Sequence, residues 1–305
     1  ARNRPRSRGS LLPKSLSGGE RVAILGSESH QSMKSRTFTL EEAGKTLPLV
    51  QRIAEDIVRV YRDLSREAER YKALRAREPR TAEIQASLST LKARMASLSE
   101  EIDACVTEAV RTFGGIDVVV NNASAINLAK TTDITMKAFD LMHQINVRGT
   151  FALSRACLRH LKESTNPHIL TLCPPLNLAP GWLGNHLAYT LSKYGMSLCV
   201  LGLAEELRQY GIAANGLWPR TTIATSAVQN LLGGDQMVRK SRRPEMVADA
   251  AYEVLTRDSR TCTGNLFIDE DVLCEAGVRD LSRYAVIADE PLIKDFFVDE
   301  PRAVP

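Results

Sequence analysis

The spacing of apolar residues predicts two long helices in the first third of the chain. From Leu47 the apolar side chains recur at alternating intervals of three and four, and after Pro79 the alternation resumes at Ile84 and continues to Ala109. Two such stripes around a short break predict an antiparallel helical hairpin with a coiled-coil seam. The run Thr39-Leu-Glu-Glu42 provides a capping box at its start. The stripes also include Val50, Ala54, Ile57, Tyr61, Leu64, Ala68 and Tyr71, then Leu88, Leu91, Met95, Leu98, Ile102 and Cys105.

At about residue 105 the pattern changes to short apolar runs that alternate with helical segments. The runs cover residues 114–124, 168–173, 213–219 and 264–269. Strands that alternate with helices form parallel sheets covered by helices, so this half of the chain predicts an α/β domain. The first run ends in small polar residues, which is typical of a buried strand whose carboxyl end opens onto a ligand crevice.

The two patterns join without a break, because Ile102, Cys105 and Ala109 keep the helical period into the helix at 107–113. We therefore expect one helix to continue from the hairpin into the α/β part. A natural gene fusion and a mis-joined reading of two neighbouring genes would give the same sequence. The predicted organisation is a basic, disordered tail at 1–36, a helical hairpin at 37–104 and an incomplete Rossmann-like parallel sheet at 105–305.

Composition limits the partners and the compartment. The formal net charge of +4 comes partly from the tail, in which five basic residues precede the first acidic residue. The tail lacks aromatic residues and an amphipathic face, which argues against a nucleic-acid partner. We see no apolar run of the length that a membrane span needs. Six cysteines without a Cys-x-x-Cys pair predict reduced, mostly buried thiols in a cytoplasmic protein, and the five histidines show no metal-ligand spacing.

Tyr189 and Lys193 form the candidate catalytic pair. They lie four residues apart in a helical pattern, so their side chains share one helix face. A free tyrosine has a pKa of about 10 and is a poor acid or base at neutral pH. A fixed cation beside it favours the phenolate, and we expect Lys193 to lower the pKa of Tyr189 in this way.

These residues and the strand pattern make the chain resemble the short-chain dehydrogenase/reductase family, most closely its hydroxysteroid-dehydrogenase-like branch. The resemblance extends from Val106 to the C-terminus. It implies NAD or NADP as cofactor and a small carbonyl or alcohol substrate of lipid-like character. It also implies that Tyr189 is the general acid/base, that Lys193 is its activator and a contact of the nicotinamide ribose, and that Asn146 holds a water on the proton relay. The coiled-coil seam and an uncovered strand edge at Val118 predict a homo-oligomer, because both present apolar area that a monomer would struggle to hide.

The resemblance also implies a cofactor site. The loop after the first run matches the family's N-N-A-G sequence, and a later loop resembles the segment that cradles the nicotinamide carboxamide, although Arg220 replaces a glycine there. Two further loops, 173–178 and 231–235, resemble the branch's active-site and substrate loops. The implied cofactor-binding residues are Asn121, Asn122, Ala123, Ser124, Lys193, Pro219, Ile223 and Thr225.

The sequence departs from the family in two places. Cys173 and Pro174 stand where the family has a serine pair that orients the substrate carbonyl, which leaves Asn177 or a backbone group for that role. The glycine-rich turn T-G-x-x-x-G-x-G and the two strands that follow it have no counterpart, apart from a short apolar run that ends at Gly26. Without that turn, the pyrophosphate loses its backbone donors. Without the two strands, the residue that reads the ribose 2′ position is missing, so NAD cannot be distinguished from NADP.

The missing first strand would leave one side of the sheet without a neighbouring strand. The Val118 strand would become an open apolar edge, to be covered by Val22–Leu25, by another chain or by the hairpin.

Residues 38–104 resemble a small bacterial helical family of unassigned function, on the basis of Phe38-Thr-Leu-Glu-Glu-Ala43 and Leu47-Pro48-Leu49. The alternative to an oxidoreductase is therefore a non-catalytic interaction protein that uses the hairpin to bind a partner.

Overall fold

The computed structural model of the protein describes residues 102–298. The predicted tail, the coiled-coil hairpin up to residue 101 and the run that ends at Gly26 lie outside the described residues. The described part begins inside a helix that ends at residue 113, here called α1, and this agrees with the helix predicted at 107–113.

Four strands form one parallel sheet, as the apolar runs predict. They are β1 (Val118–Asn121), β2 (His168–Leu172), β3 (Ala213–Trp218) and β4 (Leu266–Ile268), in the spatial order β1-β2-β3-β4. Val120 lies opposite Leu170, and Gly216 lies opposite Leu266. Because every strand runs in the same direction, the loops after β1, β2 and β3 meet at one edge of the sheet.

Helices cover the sheet between these strands. Thr135 caps the first complete one, since its hydroxyl accepts a hydrogen bond of 3.2 Å from the Ala138 N–H. The α-helices are α2 (Met136–His143), α3 (Thr150–Leu161), α4 (Pro180–Asn185), α5 (Leu187–Glu206), α6 (Gly234–Arg239), α7 (Glu245–Leu255) and α8 (Asp269–Glu275). Gln144–Gly149 and Val228–Leu232 are π-helical, and Arg208–Tyr210 and Ser282–Tyr284 are single 3₁₀ turns.

Both faces of the two central strands, β2 and β3, are buried, which explains why these strands are continuously apolar. On one face, Ile169 packs with Leu161 of α3 and Leu203 of α5. On the other face, Leu217 packs with Met246 of α7, in a cluster that also includes residues of α8. The core therefore lies in two layers, and α5 belongs to the first of them.

Within the described residues, β1 pairs only with β2, so one side of β1 is an edge. Its side chains alternate in burial: Val119 is buried, whereas Val118 and Val120 are 40% and 47% exposed. The exposed valines leave apolar surface on one face of β1.

Among residues 102–298, one helix has the length and apolarity of a membrane span. This is α5, with a mean hydropathy of 1.2, although 61% of its most apolar window is buried inside the protein. It packs against β3 and α3 and forms part of the core, so its composition is that of a central core helix. Three of the six cysteines, Cys157, Cys173 and Cys262, are buried, and Cys274 is exposed.

Candidate active site

The first two turns of α5 place the predicted catalytic pair in one cavity. Tyr189 and Lys193 are 5% and 2% exposed, and both line a cavity of about 460 Å³ at the carboxyl edge of the sheet. Helical spacing therefore puts the two side chains on a common face, as the sequence predicts.

Lys193 is held by neutral groups. Its ammonium donates hydrogen bonds to the Leu172 carbonyl at 2.7 Å and to the Ser124 hydroxyl at 3.4 Å. It also lies 4.8 Å from the centre of the Trp218 ring, within range of a cation–π contact. Burial lowers the pKa of Lys193 to about 8, so the side chain still carries its charge at neutral pH.

Asn146 connects the loop after β1 to the helix of the catalytic pair. Its amide NH₂ donates to the Ala125 carbonyl and to the Ser192 hydroxyl, both at 2.9 Å, and its oxygen accepts from the Ala125 N–H at 2.7 Å. Ser192 in turn donates to the Tyr189 carbonyl at 2.8 Å. The π-helical segment turns this fully buried amide toward α5. The water relay through Asn146 stays a prediction.

We expect Asn146→Leu to lower the free energy of unfolding by at least about 2 kcal/mol, because the Ala125 peptide groups and the Ser192 hydroxyl lose their buried partner. Denaturant unfolding followed by circular dichroism measures the change. Asn230→Leu is the matched control, since Asn230 also lies in a π-helical segment but is exposed. Equal effects in the two variants would contradict the structural role of Asn146.

The phenol of Tyr189 is neutral in this environment. Its ring packs against Phe296 and Phe297, at centroid distances of 6.3 and 6.2 Å. Burial raises the pKa of Tyr189, and the nearby Asp295 raises it further. This direction is opposite to the one expected from Lys193, because desolvation is the larger influence. The phenol therefore carries its proton at neutral pH.

The structure separates the implied cofactor residues into two groups. Five line the cavity with the catalytic pair, and these are Asn122, Ser124, Pro219, Ile223 and Thr225. Asn121 and Ala123 do not line it. Asn121 points into the protein, where its amide donates to the hydroxyls of Ser154 and Thr171 at 3.1 and 3.3 Å. These buried hydrogen bonds hold the start of the loop after β1 in place.

The two residues that replace the family's serine pair do not face the cavity. Cys173 is fully buried, and a Cβ added to Gly216 would lie 2.7 Å from its sulfur. Asn177, the suggested substitute, uses its side-chain oxygen to accept from the Ala179 N–H at 3.0 Å. Besides Tyr189, the hydroxyl groups that line the cavity within residues 102–298 belong to Ser124 and Thr225.

Part of the cavity wall comes from residues that the sequence does not single out. Asp295 and Phe296, near the end of the described residues, line the cavity beside Tyr189. Trp218, the last residue of β3, also lines it. The signal for the first two was weak: a pair of adjacent phenylalanines after an aspartate, in a region that otherwise reads as a polar tail.

Known proteins resemble this chain in sequence and in fold. A family model described as "Enoyl-(Acyl carrier protein) reductase" matches residues 62–270, more than half of the chain. The chain belongs to the short-chain dehydrogenase/reductase family. Among solved structures, a short chain dehydrogenase from Mycobacterium thermoresistibile is 55% identical, with a TM-score of 0.62, over 66% of this chain and 71% of that one. A Xanthomonas campestris protein described as a dehydrogenase is 48% identical, with a TM-score of 0.64, over 70% and 82%.

Within this family, curated relatives place the chain near one branch. Hydroxysteroid dehydrogenase-like protein 2 of Danio rerio is 52% identical over 200 residues, which cover 66% of this chain and 48% of the relative. The Homo sapiens protein of the same name is 48% identical over 206 residues, which cover 67% and 49%. The chain thus spans about half the length of the curated relatives it matches. The predicted resemblance to the hydroxysteroid-dehydrogenase-like branch is confirmed.

Proposed function

We propose that the protein is an NAD(P)-dependent oxidoreductase that moves a hydride between C4 of the nicotinamide and a carbonyl or alcohol carbon. The observation that carries the proposal is the shared cavity, in which Tyr189 and Lys193 of α5 meet Pro219, Ile223 and Thr225 of the loop after β3. Membership of the short-chain dehydrogenase/reductase family supports the same chemistry. The comparisons give no support to the non-catalytic alternative.

The residues present fit the nicotinamide half of the cofactor. The cavity of about 460 Å³ falls within the range of small-molecule sites. Its few polar side chains include Asn122, Ser124, Lys193 and Thr225, which suits a carboxamide and a ribose. When bound, the cofactor would supply or accept the hydride. The ammonium of Lys193 would bind ribose hydroxyls, and Thr225 would bind the carboxamide.

The proton chemistry belongs to the chain. Tyr189, whose phenol is neutral because it is buried, donates its proton to the substrate oxygen in the direction of reduction and recovers it in oxidation. Lys193 stabilises the phenolate that is left behind, since its ammonium is fixed by the Leu172 carbonyl. Asn146 fixes the turn of α5 that carries both residues, because it donates to the Ser192 hydroxyl, which in turn donates to the Tyr189 carbonyl.

The rest of the wall indicates the substrate class. Apolar side chains dominate it, among them Ile126, Val228, Leu232 and Phe296. Such a wall binds an apolar carbonyl or alcohol compound by removing its surface from water. We therefore propose a small lipid-like substrate.

We also propose that cofactor affinity is weak. The sequence has no T-G-x-x-x-G-x-G turn, and in such folds this turn supplies backbone donors and a helix N-terminus to the pyrophosphate. The residues that line the cavity would contact the nicotinamide half only. The adenine half would then add little to binding.

A fluorescence titration tests the function and the affinity together. The chain has two tryptophans, and Trp218 lines the cavity whereas Trp182 packs against Phe297. The variant Trp182→Phe leaves Trp218 as the reporter of bound dihydronicotinamide. We expect NADH, NADPH and reduced nicotinamide mononucleotide to quench Trp218 with similar dissociation constants, which should be at least 10-fold weaker than those of a relative that has the glycine-rich turn.

Two outcomes would contradict these proposals in different ways. Absence of quenching by all three compounds at millimolar concentration would refute the proposed cofactor site. Binding of NADPH at low micromolar concentration, with no binding of the mononucleotide, would show that the chain holds the pyrophosphate, and Gly26 would be the first position to substitute. Exposed Lys130→Met serves as a control, since Lys130 does not line the cavity.

A further inference from the structure

A short C-terminal segment, residues 293–298, closes one side of the catalytic cavity; we call it the closing segment. It runs antiparallel to the loop after β3. The Thr222 N–H donates to the Ile293 carbonyl at 2.9 Å, and the Asp295 N–H donates to the Arg220 carbonyl at 3.0 Å. The closing segment is therefore fixed to the loop that carries Pro219 and Ile223.

This attachment brings Asp295 into the cavity. Its carboxyl accepts a hydrogen bond of 2.6 Å from the Phe296 N–H, while the phenylalanine rings pack against Tyr189. Within residues 102–298, Asp295 is the one carboxylate that lines the cavity, and Lys193 is the one cation. The residue keeps some surface exposure, yet its carboxyl is deep enough for desolvation to raise its pKa to about 7.

The charged groups that face Asp295 come from three elements. Lys193 and Tyr189 face it from α5, and Asp269 faces it from the start of α8. Arg220, in the loop after β3, directs its guanidinium elsewhere, to Asp271 at 2.5 Å. Asp269 raises the pKa of Asp295 and Lys193 lowers it, so Lys193 is the cation to which the carboxyl is coupled.

The direct partners that the structure gives Lys193 are neutral. The Leu172 carbonyl, the Ser124 hydroxyl and the Trp218 ring hold its ammonium without supplying a full negative charge. No direct ion pair joins Lys193 and Asp295, although both line the same cavity. We propose that Asp295 is a positioning residue that acts through Lys193: as a carboxylate on the facing wall, it keeps Lys193 charged as an ammonium beside Tyr189.

The coupling has a defined sign. Burial lowers the pKa of Lys193 to about 8, and Cys173 and then Asp295 act against that lowering. Burial also raises the pKa of the Cys173 thiol to about 11, so near neutral pH the thiol is uncharged and Asp295 supplies the opposing negative charge. Removal of the carboxylate charge would let burial act unopposed, so that Lys193 would lose its proton closer to neutral pH. Tyr189 would then lack its stabilising cation in the range where the wild type keeps it. This inference deepens the proposed function and rests on it for its catalytic meaning.

The test is an NMR titration of Lys193 in the full chain, without cofactor. Lysine labelled with ¹³C at Cε gives one resonance per residue, and Lys193→Met identifies that of Lys193. We expect Asp295→Asn to lower the pKa of Lys193 by roughly one unit, and Asp295→Glu to restore most of it. Asp280→Asn is the matched control, because Asp280 is exposed and remote from the cavity, and it should leave Lys193 unchanged.

The wild-type titration provides a second measurement that needs no variant. The Lys193 resonance should show a minor inflection near pH 7, where Asp295 ionises. An unchanged Lys193 titration in a folded Asp295→Asn protein would overturn the inference. If that variant does not fold, the absence of the wild-type inflection would overturn it instead. Neither result depends on cofactor binding, so a failure of the proposed function would be recognised separately in the fluorescence titration.

Discussion

Replacement of Tyr189 by phenylalanine will reduce hydride transfer by at least about 100-fold and leave the fold intact. The buried phenol lines the cavity together with Lys193, and phenylalanine keeps the ring packing against Phe296 and Phe297 while it removes the proton. Because we expect weak cofactor binding, the measurement is a single-turnover assay at high enzyme and millimolar NADH or NADPH, followed by nicotinamide absorbance.

Tyr252→Phe is the control for this substitution, since Tyr252 lies on α7 and is 62% exposed. It should leave both turnover and stability unchanged. If Tyr189→Phe retains wild-type turnover, then Tyr189 is not the proton donor, and the mechanism proposed for this cavity is wrong.

Two glycines of α5 should respond to alanine with opposite signs. A Cβ at Gly195 would lie 2.5 Å from a methyl group of Val147, whereas a Cβ at Gly202 would meet nothing within 4 Å. Gly195→Ala should therefore lower the free energy of unfolding by about 1–3 kcal/mol, because α5 and the π-helical segment of Asn146 must move apart. Gly202→Ala should raise it by about 0.5–1 kcal/mol, because alanine is the better helix former. Denaturant unfolding of both variants gives the comparison.

A double variant shows whether the Val147 contact is the cause. Val147→Ala shortens the neighbouring side chain, so it should recover part of the stability that Gly195→Ala loses. If the two substitutions add without any recovery, the loss arises elsewhere in α5. Gly195→Ala should also reduce turnover more than its stability loss explains, since Val147 adjoins Asn146.

The strands and the catalytic helix could be predicted because their signals are local. Each strand is a short apolar run, since both faces of a parallel sheet are buried. Ile169 on one face and Leu217 on the other show this directly. Tyr189 and Lys193 could be paired from their spacing alone, because a helix fixes the relation between residues four apart. The loop that begins at Pro219 was found through its resemblance to the family.

The parts that could not be predicted depend on distant contacts. Asp295 enters the cavity only because residues 293–295 pair with residues 220–222, and no local pattern encodes that pairing. Cys173 turns away from the cavity because it packs against Gly216. The pKa of Tyr189 was expected to fall and instead rises, since its sign depends on the balance between burial and the Lys193 charge, and burial is a property of the whole fold.

The most direct test of the proposed function follows the hydride itself. The full chain is incubated with an apolar ketone and with NADH or NADPH deuterated at the transferable C4 position, and the alcohol is analysed by mass spectrometry. We predict one deuterium at the carbinol carbon with the wild type, and none above background with Tyr189→Phe. Absence of deuterium in the wild-type product at millimolar cofactor, or equal incorporation in both proteins, would contradict a hydride-transfer site built on Tyr189.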